Sequence, residues 1–240
     1  MPRTLLALLA CLFVVGCSND GDNAEGGGSG RNSSGADGGL ASCGLEKDTL
    51  VPTLKAAVPT ESSARVTMEM NGPGIEITYD ATMTYRPGGV DMELSAVQDG
   101  REIALVIVDG RIFVADANGA FREVSDDDPT GAPLRDVAGD LDFVGTFDAM
   151  EAGIVDVGAV DTATIDGAPA CRYRIDVDTA AASQAEGDPV PPGMPDTLTY
   201  RMVVDSDDLI RAVEFSLLGV EAEGELNWID PVDIEVPEVG

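Results

Sequence analysis

The chain has 240 residues, with 44 Asp or Glu against 14 Lys or Arg and no histidine, for a formal net charge of −30. A surface this acidic repels nucleic acid and anionic headgroups, and a chain without histidine has no Ser-His-Asp or Cys-His catalytic arrangement and no His-based metal site. Hydrophobic residues at 44% and charged residues at 24% are ordinary for a globular protein, and the length suffices for one domain with a substantial core.

Met1-Pro2-Arg3-Thr4 is a short basic start, followed by an apolar run from Leu5 to Val15. The run is too short for a bilayer-spanning helix, which needs roughly 20 apolar residues, and reads as the core of a secretory signal. Val14-Val15-Gly16-Cys17 closes it and looks like a bacterial lipobox, in which the cysteine is lipidated and becomes the new first residue. The bland alternative is an ordinary signal peptide with a chance cysteine. The lipobox predicts residues 1–16 as signal peptide, Cys17 as the lipidation site, and a lipid-anchored protein on the extracytoplasmic face of the cell membrane. Ser18 to Ser42, with Gly26-Gly27-Gly28-Ser29-Gly30 and Asn32-Ser33-Ser34-Gly35, has too few apolar residues to offset its ordering entropy. Residues 17–42 are therefore predicted to be a disordered tether, with coil statistics giving an end-to-end distance of about 25–30 Å.

Of four cysteines, Cys11 lies in the signal and Cys17 takes the lipid, leaving Cys43 and Cys171. An even pair in an oxidising compartment predicts a disulfide, with two free thiols as the alternative. It would close a loop of roughly 130 residues, for which chain entropy assigns about 4–5 kcal/mol.

Residues 43–240 read as one domain. Glu46 to Val58 has helical spacing at Leu50, Leu54 and Ala57 or Val58, with Pro59 as a stop; Pro52 inside it predicts a start that is irregular or delayed until after Thr49. The period then changes to two. Val66, Met68 and Met70 alternate with polar residues, as do Ile75, Ile77, Tyr79, Ala81, Met83 and Tyr85, and then Val90, Met92, Leu94 and Ala96. Asp99-Gly100 and Asp109-Gly110 are hairpin signals flanking Ile103 to Val108, a segment apolar on both faces and so predicted to be covered on both. Ile112-Phe113-Val114 follows. Between Ser125 and Gly153 the alternation stops, and 133–143 and 146–152 are weak helix candidates.

Strands resume from Val155 to Ile165 and, after Asp166-Gly167, at Cys171, Tyr173, Ile175 and Val177. Thr179 to Glu186 reads as a short helix and Pro189 to Pro195 as a Pro-rich loop. Three more strands are marked by Leu198, Tyr200, Met202 and Val204, by Val213, Phe215 and Leu217, and by Val220, Ala222, Leu226 and Trp228, before an extended tail. About ten strands in one antiparallel system cannot stay flat. The predicted fold class is α+β, mainly β: a curved antiparallel sheet forming a half-open barrel, with a few helices over its concave, apolar face.

No dinucleotide or phosphate-loop glycine pattern opens a helix, and Asp126-Asp127-Asp128 lacks the Gly and terminal Glu of an EF-hand loop. No catalytic residue, metal or cofactor is assigned, and no enzyme is expected; a hydrolase would need carboxylates converging in an apolar cleft. The apolar face is instead rich in flexible methionines. It is either a packed core or, in part, the lining of a cavity for acyl chains. The cavity candidates are Val66, Met68, Met70, Ile75, Ile77, Tyr79, Met83, Met92, Leu94, Leu105, Ile107, Phe113, Ile175, Tyr200, Met202, Phe215, Leu217, Leu226 and Trp228. Each buried CH2 of a lipid tail would contribute about 0.8 kcal/mol.

The order of these pieces resembles the LppX/LprAFG family of actinobacterial lipoproteins. The resemblance spans 43–240 and rests on the lipobox, the first helix, Val108-Asp109-Gly110-Arg111-Ile112-Phe113-Val114, and above all the ending. There Thr199-Tyr200-Arg201-Met202-Val203-Val204-Asp205, Leu209-Ile210-Arg211-Ala212-Val213 and Leu226-Asn227-Trp228-Ile229-Asp230-Pro231-Val232-Asp233-Ile234-Glu235-Val236-Pro237 are similar to that family's final strands. The resemblance implies a half-barrel of the LolA-like lipid-carrier type. It further implies binding of acylated lipid or glycolipid, transport across the cell envelope, and work beside a membrane lipid transporter. A monomer is expected. A non-catalytic envelope interaction or sensing module with a filled core is the alternative.

Overall fold

The computed structural model describes residues 43–240 apart from 60, 87–88, 99, 117, 126–146, 148–149, 188 and 191–192. The signal, Cys17, the tether and the helix candidate 133–143 lie outside the described residues.

The helix α1 spans Leu50–Ala57, starting after Thr49 as Pro52 requires and ending where Val58 turns extended ahead of Pro59. Eleven strands follow: β1 Ser62–Gly72, β2 Ile75–Arg86, β3 Gly89–Gln98, β4 Arg101–Val108, β5 Arg111–Ala115, β6 Phe121–Val124, β7 Ile154–Ile165, β8 Ala168–Asp178, β9 Thr197–Asp205, β10 Ile210–Leu217 and β11 Val220–Ile229. The helix α2, Thr179–Glu186, sits between β8 and β9. Asp178 caps it by accepting from the Ala181 N–H at 2.8 Å, and Gly187 ends it in the left-handed region at φ 79°. The count exceeds the predicted ten through β6, whose four residues are too short to show a period.

All eleven strands form one antiparallel sheet in the order β6-β5-β4-β3-β2-β1-β11-β10-β9-β8-β7. Two meanders thus meet at a central seam, where β1 pairs with β11 from Ser63↔Ile229 to Asn71↔Glu221. The edges β6 and β7 are not paired with each other, so the barrel is open. Tight turns set the register. Asp109-Gly110 and Asp166-Gly167 both hold φ between 51° and 83°, the backbone of a two-residue hairpin turn.

Register decides which residues share a face. Val66 opposes Leu226 and Ala81, Met83 opposes Met92, Leu94 opposes Leu105, and Leu105 opposes Val114. On the other half, Val213 opposes Met202, which opposes Tyr173. These residues form one continuous core on the inner face with Leu50, Val51 and Leu54 of α1 and with Phe147. Burying each such side chain contributes about 1.5–3 kcal/mol. Gly224 makes room in this layer: a Cβ there would lie 3.0 Å from Met68 Cε.

The outer face carries the polar residues and a second, smaller core. Val106, Val108 and Phe113 are buried there by Ile234, with Phe121 alongside. The prediction that Ile103 to Val108 is covered on both sides holds for its C-terminal half; Ile103 is exposed. The cover is the tail after β11. Ser63 Oγ accepts from the Val232 N–H at 2.9 Å and lies 2.8 Å from Thr84 Oγ1, which donates to the Val232 carbonyl at 2.8 Å. Arg86 bonds Asp233 at 3.0 Å, and Gly240 N–H donates to the Phe121 carbonyl at 3.2 Å. The tail is thus a strap across the outside of β1–β6.

Candidate functional site: the inner apolar face

The strands deliver the predicted candidates to one surface, with one correction. Val66, Met68, Met70, Ile77, Tyr79, Met83, Met92, Leu94, Leu105, Ile107, Ile175, Met202, Leu217 and Leu226 are buried in the inner core, and Ile75, Tyr200, Phe215 and Trp228 pack against it half-buried. Phe113 does not. The Asp109-Gly110 turn pairs Val108 with Arg111, which places Ile112 inward opposite Ile107 and sends Phe113 outward opposite Val106. There it is fully buried in the outer core, with the Arg111 guanidinium 4.9 Å from its ring centroid. Of the inner residues absent from the candidates, Ile112 and Val124 sit on the two strands too short for alternation to be read, whereas Tyr85, Tyr173, Val177, Leu198, Val204 and Val213 lie on strands whose alternation is legible and were not put forward.

The methionines have a defined role beside filling space. Tyr79 Oη donates to Met68 Sδ at 3.1 Å and Tyr85 Oη to Met83 Sδ at 4.0 Å, so thioethers serve as acceptors for phenols on a face poor in oxygen. Tyr85 and Trp228 stack at 5.6 Å between centroids, and Trp228 Nε1 donates to the Ile210 carbonyl at 3.0 Å. No Asp or Glu occupies an inner position of β1–β5 or β8–β11. Carboxylates therefore do not converge there, as acid–base hydrolysis would need. Among the described residues no group of three His, Cys, Asp or Glu could hold a metal ion.

One end of the face is closed. Cys43 and Cys171 form the predicted disulfide, with Cα atoms 5.6 Å apart. Next to it, the Leu45 N–H donates to Tyr173 Oη at 3.4 Å. Burial pushes the Tyr173 phenol above its ordinary pKa, partly offset by that hydrogen bond. The disulfide thus pins the segment leading into α1 to β8, and α1 lies over the inner face. Under α1 the space bounded by Leu54, Tyr85, Phe147, Leu226 and Trp228 is only about 10 Å3. That holds at most about one water.

Larger clefts lie at the opposite end, by the β3–β4 and β10–β11 turns. One, of about 800 Å3, borders the start of β4 and the β5–β6 turn, with Ile103, Val114 and Phe121 in its wall. The other, of about 440 Å3, borders the start of β9 and the β10–β11 hairpin. No helix among the described residues is long and apolar enough to cross a membrane.

No family model matches the sequence, and no curated protein does either. Solved structures do match. The lipoprotein LppX of Mycobacterium tuberculosis superposes with a TM-score of 0.55 at 12% identity, over 79% of this chain and 98% of its own. LprF from Mycobacterium bovis superposes with a TM-score of 0.55 at 16% identity, over 80% of this chain and 96% of its own. At such identities the likeness is one of fold: the chain has the open antiparallel half-barrel of LppX and LprF.

Proposed function

We propose that this protein is a membrane-anchored lipoprotein that takes the acyl chains of a lipid or glycolipid against the inner face of its half-barrel and assists their passage across the cell envelope. The single observation that carries this reading is the inner face itself. It is continuous, apolar and free of carboxylates on nine of the eleven strands, and its described covers are short: α1, eight residues long, Ala182 of α2, Phe147 and Met150. Such a surface binds by area and needs no specific polar chemistry. The shared fold with LppX, itself a lipoprotein, supports the reading, as does the lipobox at Cys17. The anchor would keep the domain within tether reach of a bilayer, where cargo is collected and where a membrane lipid transporter would meet it.

The closed end has a consequence for mechanism. With about 10 Å3 free beneath α1, an acyl chain must displace the side chains that fill it, among them Leu54, Tyr85 and Trp228, or enter from the other end. The same observation favours a second reading, an envelope interaction or sensing module whose core stays filled. Native mass spectrometry of the exported protein separates the two. Co-purified acyl lipid, or uptake of a fluorescent fatty-acyl probe, is expected; a clean apo mass with no uptake would leave only the filled-core reading.

A further inference from the structure

The wall of the half-barrel is split. The β9–β10 ladder stops at Phe215↔Tyr200. Beyond that point β9 stays paired to β8 as far as Thr197, and β10 to β11 as far as Leu217↔Val220. Two strand edges therefore diverge. One feature holds β9 to its own side of the split. The start of β9 is drawn towards α2, where Thr179 donates from Oγ1 to the Pro195 carbonyl at 2.7 Å and from its N–H to the Asp196 carbonyl at 3.0 Å.

The cleft of about 440 Å3 lies over this split. Its walls combine outward-facing Thr197, Thr199, Glu214 and Ser216 with Leu198 and Phe215, which belong to the inner set. Phe215 and Tyr200, in tilted ring contact at 5.5 Å between centroids at the base of the split, are only half-buried. The other inner residues of the two strands, Leu198, Met202, Val204, Val213 and Leu217, are at most 4% exposed. On these two strands the inner face is thus least covered where they part.

We infer that the β9–β10 split is the lateral port through which an acyl chain reaches the inner face, with Tyr200 and Phe215 as its apolar threshold and an uncharged, hydroxyl-rich headgroup left at its outer rim. This rests on the lipid-carrier reading above. The headgroup class follows from the rim. Glu214, Glu221 and Glu223 present acceptors beside the Thr197, Thr199 and Ser216 hydroxyls, with Arg201 as the one cation in the lining, 3.9 Å from Glu214. Hydroxyl donors suit that set, and an anionic phosphate is repelled by it.

The test bridges the split. Exported protein carrying Cys17→Ala together with Thr197→Cys and Ser216→Cys is joined after folding by a short bismaleimide, which spares the native disulfide. A control joins Thr67→Cys to Asp80→Cys, across the intact β1–β2 ladder far from the rim. Uptake of a fluorescent-acyl galactosyl diglyceride from phosphatidylcholine vesicles should fall about tenfold on bridging the split and stay unchanged on bridging the control. The same labelled chain on phosphatidylglycerol should enter the unbridged protein about threefold more slowly. Uptake unchanged by the bridge would overturn the port while leaving the carrier reading intact. Equal entry of the two lipids would overturn the headgroup assignment. No uptake by the unbridged protein would overturn the carrier reading and the port with it.

Discussion

Replacing Phe113 with Ala removes the centre of the outer core. The ring is fully buried between the sheet and the strap, against Val106, Val108 and Ile234. Its neighbours are tied down. Arg111, over the ring, is held by Glu123 at 2.9 and 2.6 Å, and the strap is held at both ends by the Val232 and Gly240 hydrogen bonds. The site therefore collapses poorly, and the loss should lie in the usual range for such truncations, about 3–5 kcal/mol. Against a total of about 5–15 kcal/mol that is a third or more of the stability. Urea unfolding followed by circular dichroism should show the midpoint fall at nearly constant m. Ile234→Ala should cost about 2–4 kcal/mol, and the double variant should cost less than the sum by at least about 0.5 kcal/mol, because both residues bound one cavity. Lipid uptake by the folded Phe113→Ala protein should be unchanged, since Phe113 faces away from the inner surface. A stability loss under about 1 kcal/mol, or lost uptake with normal stability, would refute the assignment of Phe113 to the outer face.

Reducing the Cys43–Cys171 bond should slow migration on a denaturing gel and lower stability by up to about 4–5 kcal/mol, with α1 loosened first; identical migration with and without reductant would count against the bridge. Cys17→Ala should leave the fold and in vitro lipid uptake intact but move the protein out of the membrane fraction, and persistent membrane association would refute the lipobox. Ultraviolet titration should show the Tyr173 phenol ionising late, above the ordinary phenol range, because burial raises its pKa. Raising a phenol's pKa on folding favours the folded state while the pH is below the unfolded value of about 10, and that contribution is lost as pH rises through the raised value. Tyr173→Phe should remove the late step, and its survival would show that another tyrosine is the source.

The strands with unbroken alternation were legible from sequence because a half-buried antiparallel strand has no other way to hide its apolar side. Val66 to Met70, Ile75 to Tyr85 and Val90 to Ala96 all lie on the inner face. What alternation cannot supply is register. Ile112-Phe113-Val114 is apolar at every position, so nothing local says which residue points inward; the Asp109-Gly110 turn and the strap decide it. The strap itself was legible only as extended chain, since Ile234 is its single buried anchor. The splayed β9–β10 pair was invisible, because both strands alternate normally through the point where they part. The Cys43–Cys171 pair followed from counting cysteines, whereas its effect of pinning the approach to α1 needed the three-dimensional placement of Tyr173.

The seam between β1 and β11 has a kinetic meaning. Its two strands form the middle of the sheet yet stand at opposite ends of the domain, and the bond from Val232 to Ser63 spans 169 residues. Each meander is built from neighbouring hairpins and can form early, but the step that joins them closes nearly the whole domain into one loop and must be slow. Until then β1 presents a long, flat, methionine-rich edge with no partner, the kind of surface that seeds misassociation. The outward-facing acids of the seam, Glu69, Glu221, Glu223 and Glu225, then act as mutual repellents between unfinished copies. Part of the extreme acidity of this protein is therefore intelligible as a guard on assembly, present before there is any half-barrel to serve.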